Sequence, residues 1–192
     1  MADTILLTSC NFIRTQFNIS DNVTDKFIMP SIRETQEIEL QQTIGTSLYK
    51  KLQELVRTGE ISLSGNTDYK LLLDNAQWML AYHTIAKICF MASTKVSNTG
   101  VYQTSDEHEN PYYLTDVFRI KDEYIIKADF YTNRLQDFII ANRNKYPELC
   151  DNNEFDKIKA NLYSAASTGM WLGGARGKGY KNKCRHIGYD RP

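Results

Sequence analysis

The stretch VFRIKDEYIIKADFYTNRLQDF, residues 117–138, decides the fold. Its apolar residues recur at intervals of three and four, the spacing that places side chains on one face of an α-helix. The residues on this face are Val117, Ile120, Tyr124, Ala128, Tyr131, Leu135 and Phe138. The pattern predicts a helix that continues to about Asn144 and stops before Tyr146-Pro147, because a residue preceding proline is disfavoured in the helical conformation. At about 1.5 Å per residue this helix is roughly 45 Å long, so we expect a rod that protrudes or lines something.

Three more helices are predicted upstream, each from apolar residues at helical spacing. They cover about residues 24–45, 46–59 and 67–91. Ser31 and Glu34 fit a capping box in the first of these helices. Gly45 and Gly59 are suited to ending the first and the second, because glycine adopts the backbone conformation that follows many helices.

Residues 93–113 interrupt the helical pattern with Asn, Gly, Ser and Pro. Val96 and Val101 flank the turn sequence Ser-Asn-Thr-Gly in the manner of a small β-hairpin. A last short helix is predicted at about residues 153–166. The sequence therefore predicts an all-α fold: a bundle of about four to five helices over residues 1–168, with a small β-hairpin or loop insertion and an extended C-terminal arm at residues 169–192.

The charge of the chain is divided between the predicted body and the arm. Lys plus Arg equals Asp plus Glu, 23 each, so the whole molecule has no net charge that attracts nucleic acid or an anionic membrane. Residues 169–192 carry six basic residues and one acid, whereas the 168 residues before them carry 17 basic and 22 acidic residues. The chain is an acidic body with a basic arm.

The arm combines flexible glycines with side chains suited to binding another molecule. Arg and Lys contact phosphates or carboxylates, and Trp and Tyr are enriched at the energetically important centres of interfaces. The candidate partner-binding residues are Trp171, Arg176, Lys178, Tyr180, Lys181, Lys183, Arg185 and Tyr189.

Motifs for catalysis or metal binding fail on inspection. GGARGKG, residues 173–179, is not a phosphate loop, because Leu172 replaces the first glycine and Gly179 replaces the Ser or Thr that binds magnesium. Cys184 and His186 supply only two of the four ligands that zinc requires. His83 is expected to be a core histidine with satisfied hydrogen bonds. We therefore expect a protein that is not an enzyme and uses no cofactor or metal.

Two further expectations concern the cellular setting. The sequence has no run of 18 apolar residues and an acid near its N-terminus, so we expect neither a membrane span nor a signal peptide. The four cysteines are Cys10, Cys89, Cys150 and Cys184. Since they are far apart and form no CxxC pair, we expect four reduced thiols in a cytosolic setting.

Four stretches, taken in order, carry a resemblance to a known family. They are FIMPSIRETQEIELQQTIGTSLYKKL at 27–52, LLLDNAQWMLAYHTIAK at 71–87, KVSNTGVYQ at 95–103 and DEYIIKADFYTNRLQDFIIANRNKYPEL at 122–149. In this order the chain resembles the head-to-tail connector, or adaptor, proteins of tailed bacteriophages. It is most similar to the ring proteins of crAss-like phages of Bacteroides-type hosts.

The resemblance implies a non-enzymatic structural protein of the virion, without cofactors. Residues 1–168 would form the connector domain, assembled as a homo-oligomeric ring of about twelve copies beneath the portal, in the neck that joins head to tail. The implied partners are neighbouring subunits, the portal, the next tail or ring protein, and genomic double-stranded DNA that passes through the channel without sequence-specific binding. The resemblance also implies assembly in the host cytoplasm without a membrane. In related adaptors a C-terminal segment often inserts into or embraces a neighbouring component.

A second hypothesis is a nucleic-acid-binding helical protein whose basic arm contacts phosphates while its aromatic residues stack on bases. The two hypotheses differ in salt dependence, because each neutralised phosphate releases counterions. An acidic body also suits a channel through which DNA must slide, since acidic walls do not hold phosphates.

Overall fold

The computed structural model describes residues 5–20, 23–97, 100–103, 113–150 and 158–162. Its α-helices are α1 (Cys10–Phe17), α2 (Asp25–Thr35), α3 (Gln41–Ile44), α4 (Thr46–Thr58), α5 (Thr67–Ser93) and α6 (Leu114–Ala141). A π-helical turn (Gln36–Leu40) joins α2 to α3, so these segments form one rod and the described residues contain five helical rods. The predicted all-α fold is confirmed.

The hairpin predicted between the two long helices is present. Strand β1 (Thr94–Ser97) pairs antiparallel with β2 (Gly100–Gln103), and Val96 lies opposite Val101. The helix α6 ends three residues earlier than the sequence predicts, and the 3₁₀ turn Arg143–Lys145 follows it.

The centre of the fold is the pair formed by α5 and α6. Phe90 lies beside Phe118, Tyr82 beside Tyr131, and Tyr69 beside Tyr146, so the two helices run antiparallel. One core cluster packs α3 and α4 against the first half of α5 and the end of α6, and it includes Leu48, Leu52, Leu80 and Leu135. A second cluster packs α1 and α2 against the later part of α5, and its buried members are Ile13, Ile28, Ile32, Ala81, Ile85 and Ile88.

The rod formed by α2 and α3 begins earlier than the capping box suggests. Thr24 is the N-cap residue, whereas Ser31 lies inside α2, is buried, and donates a hydrogen bond to the sulfur of Met91 at 3.3 Å. The predicted capping role of Ser31 is therefore wrong. The hydroxyl is used in packing α2 against α5 instead of satisfying the backbone at a helix start.

Gln36, in the π-helical turn, connects three parts of the chain. Its Oε1 accepts a hydrogen bond from the Leu7 amide at 3.0 Å, and its Nε2 donates to the Ile5 carbonyl at 2.8 Å and to the Tyr49 hydroxyl at 3.0 Å. The side chain is buried, and burial also raises the pKa of Tyr49 to about 12. A single amide thus holds the N-terminal segment and α4 against the rod.

The turn at Gly45 is closed by a distant segment of irregular backbone. The Thr46 amide donates to the Ile158 carbonyl at 3.1 Å, and the Asn161 amide donates to the Gln42 carbonyl at 2.9 Å. Residues 158–162 are not helical, so the predicted helix at 153–166 is wrong there, and its other residues lie outside the described part of the chain. The reason is that these backbone groups bond to the Gly45 turn rather than to each other.

The helix α1 was not predicted from the sequence, because its eight residues are too short for a periodic signal. Its local signal is Ser9, whose hydroxyl accepts a hydrogen bond from the Phe12 amide as an N-cap. Phe12 and Phe17 then pack edge-on against Trp78 and Tyr82 of α5. Aromatic contacts with distant residues therefore hold this short helix in place.

Candidate interaction surfaces

The eight candidate partner-binding residues of the arm lie outside the described residues. They are Trp171, Arg176, Lys178, Tyr180, Lys181, Lys183, Arg185 and Tyr189. The contacts of the described helical body must therefore be sought on its own surface.

One such surface is the outer side of α6. Ile126 and Phe130 lie one turn apart and are 69% and 61% exposed, whereas Ala128 and Leu135 on the inner side are buried. We call Ile126 and Phe130 the α6 ridge. Charged residues of both signs flank it: Arg119, Asp122, Glu123, Lys127, Asp129, Arg134 and Asp137. The outer side of α6 therefore exposes two large apolar side chains among charges of both signs.

Two of the charged residues that flank the ridge form an ion pair. Lys127 Nζ lies 2.6 Å from Glu123 Oε1, one helical turn away. This contact lowers the pKa of the Glu123 carboxyl and raises the pKa of the Lys127 ammonium, since each charge stabilises the other. Both side chains are solvent-exposed, so the pair contributes little to stability.

A second surface is a groove of about 470 Å³ between the α2 rod and α6, with α5 as its floor. We call it the α2–α6 groove. Its apolar lining is Ala86, Phe90, Met91, Phe118 and Ile125, and its polar lining is Glu34, Glu39, His83, Lys87 and Lys121. Phe90 and Phe118 are both 40% exposed, with ring centroids 6.0 Å apart. Large apolar side chains therefore remain accessible inside a concave surface.

The charged side chains of the groove form contacts along its walls. Lys87 Nζ of α5 lies 2.9 Å from Glu34 Oε1 of α2, and Lys121 Nζ lies 5.4 Å from the centre of the Phe118 ring. The first contact joins the floor of the groove to one wall, and the second covers part of an aromatic ring with a cation.

His83 lies where the apolar part of the groove meets a polar cleft. Its Nε2 is 3.2 Å from the Thr132 hydroxyl oxygen, which itself donates to the Ala128 carbonyl, so the imidazole Nε2–H donates to Thr132. Burial lowers the pKa of His83, while Glu39 and Asp129 act in the opposite direction. The hydrogen bond agrees with the predicted satisfied histidine, although His83 lines the groove instead of the closed core.

The polar cleft beyond His83 has a volume of about 400 Å³. Glu39, Asp129, Thr132 and Gln136 are among the residues that line it. In the described part of the chain, no group of three His, Cys, Asp or Glu side chains is arranged to hold a metal ion.

The cysteines differ from the expectation of four reduced thiols. Cys10 and Cys89 are free, and burial raises the pKa of both thiols, which favours the unreactive protonated form. Cys150 is disulfide-bonded, so the expectation is wrong at this residue. Cys184 lies outside the described residues.

The fold and its two surfaces define an all-α domain built on a long antiparallel helix pair, with exposed apolar residues on two sides of α6. The chain belongs to DUF6712, a family of unknown function, whose profile matches residues 40–159. This match extends from the end of the π-helical turn through α6 to the segment at the Gly45 turn. No curated protein and no solved structure matches the chain. Among the described residues, no helix is long and apolar enough to span a membrane.

Sequence reasoning identified the inner stripe of α6 and missed both surfaces. Ile126 and Phe130 are apolar residues that fall off the predicted stripe, and this was the available signal for the ridge. The groove had no comparable signal, because residues as distant as Glu34, Phe90 and Ile125 line it together.

Proposed function

We propose that this protein is a structural subunit of a head-to-tail connector ring in the neck of a tailed-bacteriophage virion, beneath the portal. The resemblance of residues 24–150 to connector proteins suggests this assignment. The observation that carries it is the presence of two different apolar surfaces on one helical domain, the α6 ridge and the α2–α6 groove.

A ring of identical subunits needs two different surfaces on each copy. In head-to-tail packing, one surface of a subunit contacts another surface of the next, and the series closes if the rotation between copies closes. A single self-complementary patch would instead favour a two-fold dimer. The presence of a convex and a concave apolar surface on the same domain therefore supports a ring.

The proposal assigns genomic DNA to the channel without a specific binding site. The body that would form the channel is acidic, since the 168 residues before the arm carry 22 acidic and 17 basic side chains. Such a surface holds phosphates less strongly than a row of cations, because each unopposed cation adds a salt-dependent contact. We propose no catalytic activity, cofactor or membrane association.

The proposal assigns the basic arm to a protein partner: the portal, an adjacent subunit or the next ring. The arm carries six cations and one acid, and the acidic excess of the other 168 residues gives it a complementary surface. Trp171, Tyr180 and Tyr189 supply aromatic side chains of the kind that anchor interfaces.

The deciding experiment measures molar mass by light scattering after size exclusion, for the protein alone and mixed with its portal. We expect a shift from 22.2 kDa to a ring of about twelve copies, or to a portal complex. A chain truncated at Gly169 should lose one of these assemblies. If truncation leaves both intact, the role of the arm is wrong; a monomer indifferent to the portal contradicts the whole proposal.

Two arm variants separate this function from nucleic-acid binding, which the basic arm also favours. The first changes Trp171, Tyr180 and Tyr189 to Ala, and the second changes Lys178, Lys181 and Lys183 to Gln. Protein docking through aromatic anchors should suffer more from the first variant. A binder of duplex DNA that makes about five phosphate contacts should show a slope of about −4.5 when log K is plotted against log salt, at about −0.9 per contact. The second variant removes three lysines and should reduce the magnitude of this slope by about 2.7.

A further inference from the structure

We infer that the α6 ridge of one copy packs into the α2–α6 groove of the next copy. The inference rests on the proposed ring and names the surfaces that would build it. It commits the groove to one occupant, a second copy of this chain.

The groove is large enough to receive the side chains of the ridge. The ridge presents two large side chains, Ile126 and Phe130, one turn apart on a helix of 28 residues. The groove has a volume of about 470 Å³ and exposes Phe90 and Phe118. Cavities of about 300–1,000 Å³ hold drug-sized molecules, so the groove is large enough for two side chains. Insertion would remove apolar area of both copies from water, which is the main favourable contribution to association.

The charges of the two surfaces also suit a contact between copies. The groove is lined by two carboxylates, Glu34 and Glu39, and two lysines, Lys87 and Lys121. The ridge is flanked by four carboxylates and three cations and the groove lining is balanced, so neither surface carries a large net charge that would repel the other. Since both surfaces carry both signs, opposite charges can pair around a buried apolar centre. A strongly charged partner such as DNA gains no comparable match.

The arrangement makes the contact head-to-tail. Ile125 lines the groove and Ile126 belongs to the ridge, and consecutive residues of an α-helix point about 100° apart. The ridge therefore points in a different direction from the groove of its own chain. A contact from ridge to groove uses two different surfaces, and its repetition generates a ring when the rotation closes.

The test places a photo-reactive benzoylphenylalanine at position 130 of the full chain and maps its cross-links by mass spectrometry. Isotope-labelled and unlabelled chains are mixed before assembly, so that cross-links between copies are recognised by their masses. We expect those links at groove residues, such as Phe90, Met91 or Phe118. The matched control carries the same group at Leu63, which is 58% exposed in the turn before α5 and should give no links to the groove.

The outcomes separate this inference from the proposed function. Light scattering can show a ring while position 130 is cross-linked outside the groove, for example to Ile126 or Phe130 of another copy, or is not cross-linked at all. Either result overturns this inference and leaves the proposed function intact. A protein that remains monomeric with and without the portal overturns both.

Mixing two variants gives a second test. Phe130→Asp damages only the ridge, and Phe118→Asp damages only the groove. Each variant alone should lose the ring, while far-ultraviolet circular dichroism stays unchanged because both side chains are exposed. When the two variants are mixed, the intact ridge of Phe118→Asp can still enter the intact groove of Phe130→Asp. Since the other two surfaces are damaged, we expect a dimer that adds no further chains. A mixture that stays monomeric overturns the inference.

Discussion

The two sides of α6 differ in what covers them. On the inner side, Ala128 and Leu135 are fully buried by the chain's own α5 and its neighbours. On the outer side, Ile126 and Phe130 are just as apolar but are exposed to solvent. The comparison shows that helical periodicity identifies the residues a chain buries by itself. Ile126 and Phe130, which interrupt this periodicity, are left exposed by the chain itself.

The largest expected effect separates the two sides directly. Leu135→Ala should reduce the free energy of unfolding by about 2–5 kcal/mol, because it leaves a cavity in a closed core. The matched change on the outer side, Ile126→Ala, should alter it by about 0.5 kcal/mol or less. Both are measured by urea unfolding at concentrations where light scattering shows a monomer. Similar losses in the two variants would show that Ile126 is already covered within its own chain.

Much of the inner side could be predicted from the sequence. The three long helical patterns and the hairpin follow from local spacing and turn residues, which act within a few positions of the chain. Residues 158–162 could not be predicted, because their backbone groups bond to Gln42 and Thr46, more than 100 positions away. The groove could not be predicted for the same reason: its lining residues meet only after folding.

The second prediction tests how tightly residues 158–162 belong to the packed side. Gly45 has φ of 82° and ψ of 158°, a region that is essentially reserved for glycine, and an added Cβ would lie 2.9 Å from the Ala160 amide nitrogen. Gly45→Ala should therefore cost about 2–3 kcal/mol of unfolding free energy. The matched control is Gly59→Ala, with φ of 75° but open space around the added Cβ, and it should cost about 1 kcal/mol. Equal costs in thermal or urea unfolding would mean that the contact with Ala160 adds nothing.

The third prediction concerns a polar group on the packed side. Gln36→Leu should cost about 1–3 kcal/mol, because the Leu7 amide and the Ile5 carbonyl both lose their partner. The rate of hydrogen exchange at the Leu7 backbone amide should also increase. The control is Gln53→Leu, which removes one hydrogen bond to the same Tyr49 hydroxyl and should cost less. If the two variants are equally stable, the anchoring of the N-terminal segment does not depend on Gln36.

The smallest expected effect lies at His83, on the boundary between the closed core and the open groove. Burial lowers its pKa in the folded protein, so the unfolded chain binds a proton that the folded chain does not. The free energy of unfolding should therefore fall as the pH decreases below about 6.5, the ordinary pKa of histidine. His83→Gln keeps a polar side chain near Thr132 and removes the titration, so its stability should decline less between pH 7.5 and 5.5.

Neighbouring charges allow the sign of this effect to be tested. Glu39 and Asp129 raise the pKa of His83 and partly oppose burial, while Lys87 of α5 lowers it. Asp129→Asn removes one opposing charge, so the pKa of His83 should fall further and the loss of stability at low pH should become steeper. Lys87→Gln should make it shallower. Both slopes are measured by urea unfolding at several pH values, each against the same substitution in a His83→Gln background. A change that persists in that background would come from another titrating group and not from His83.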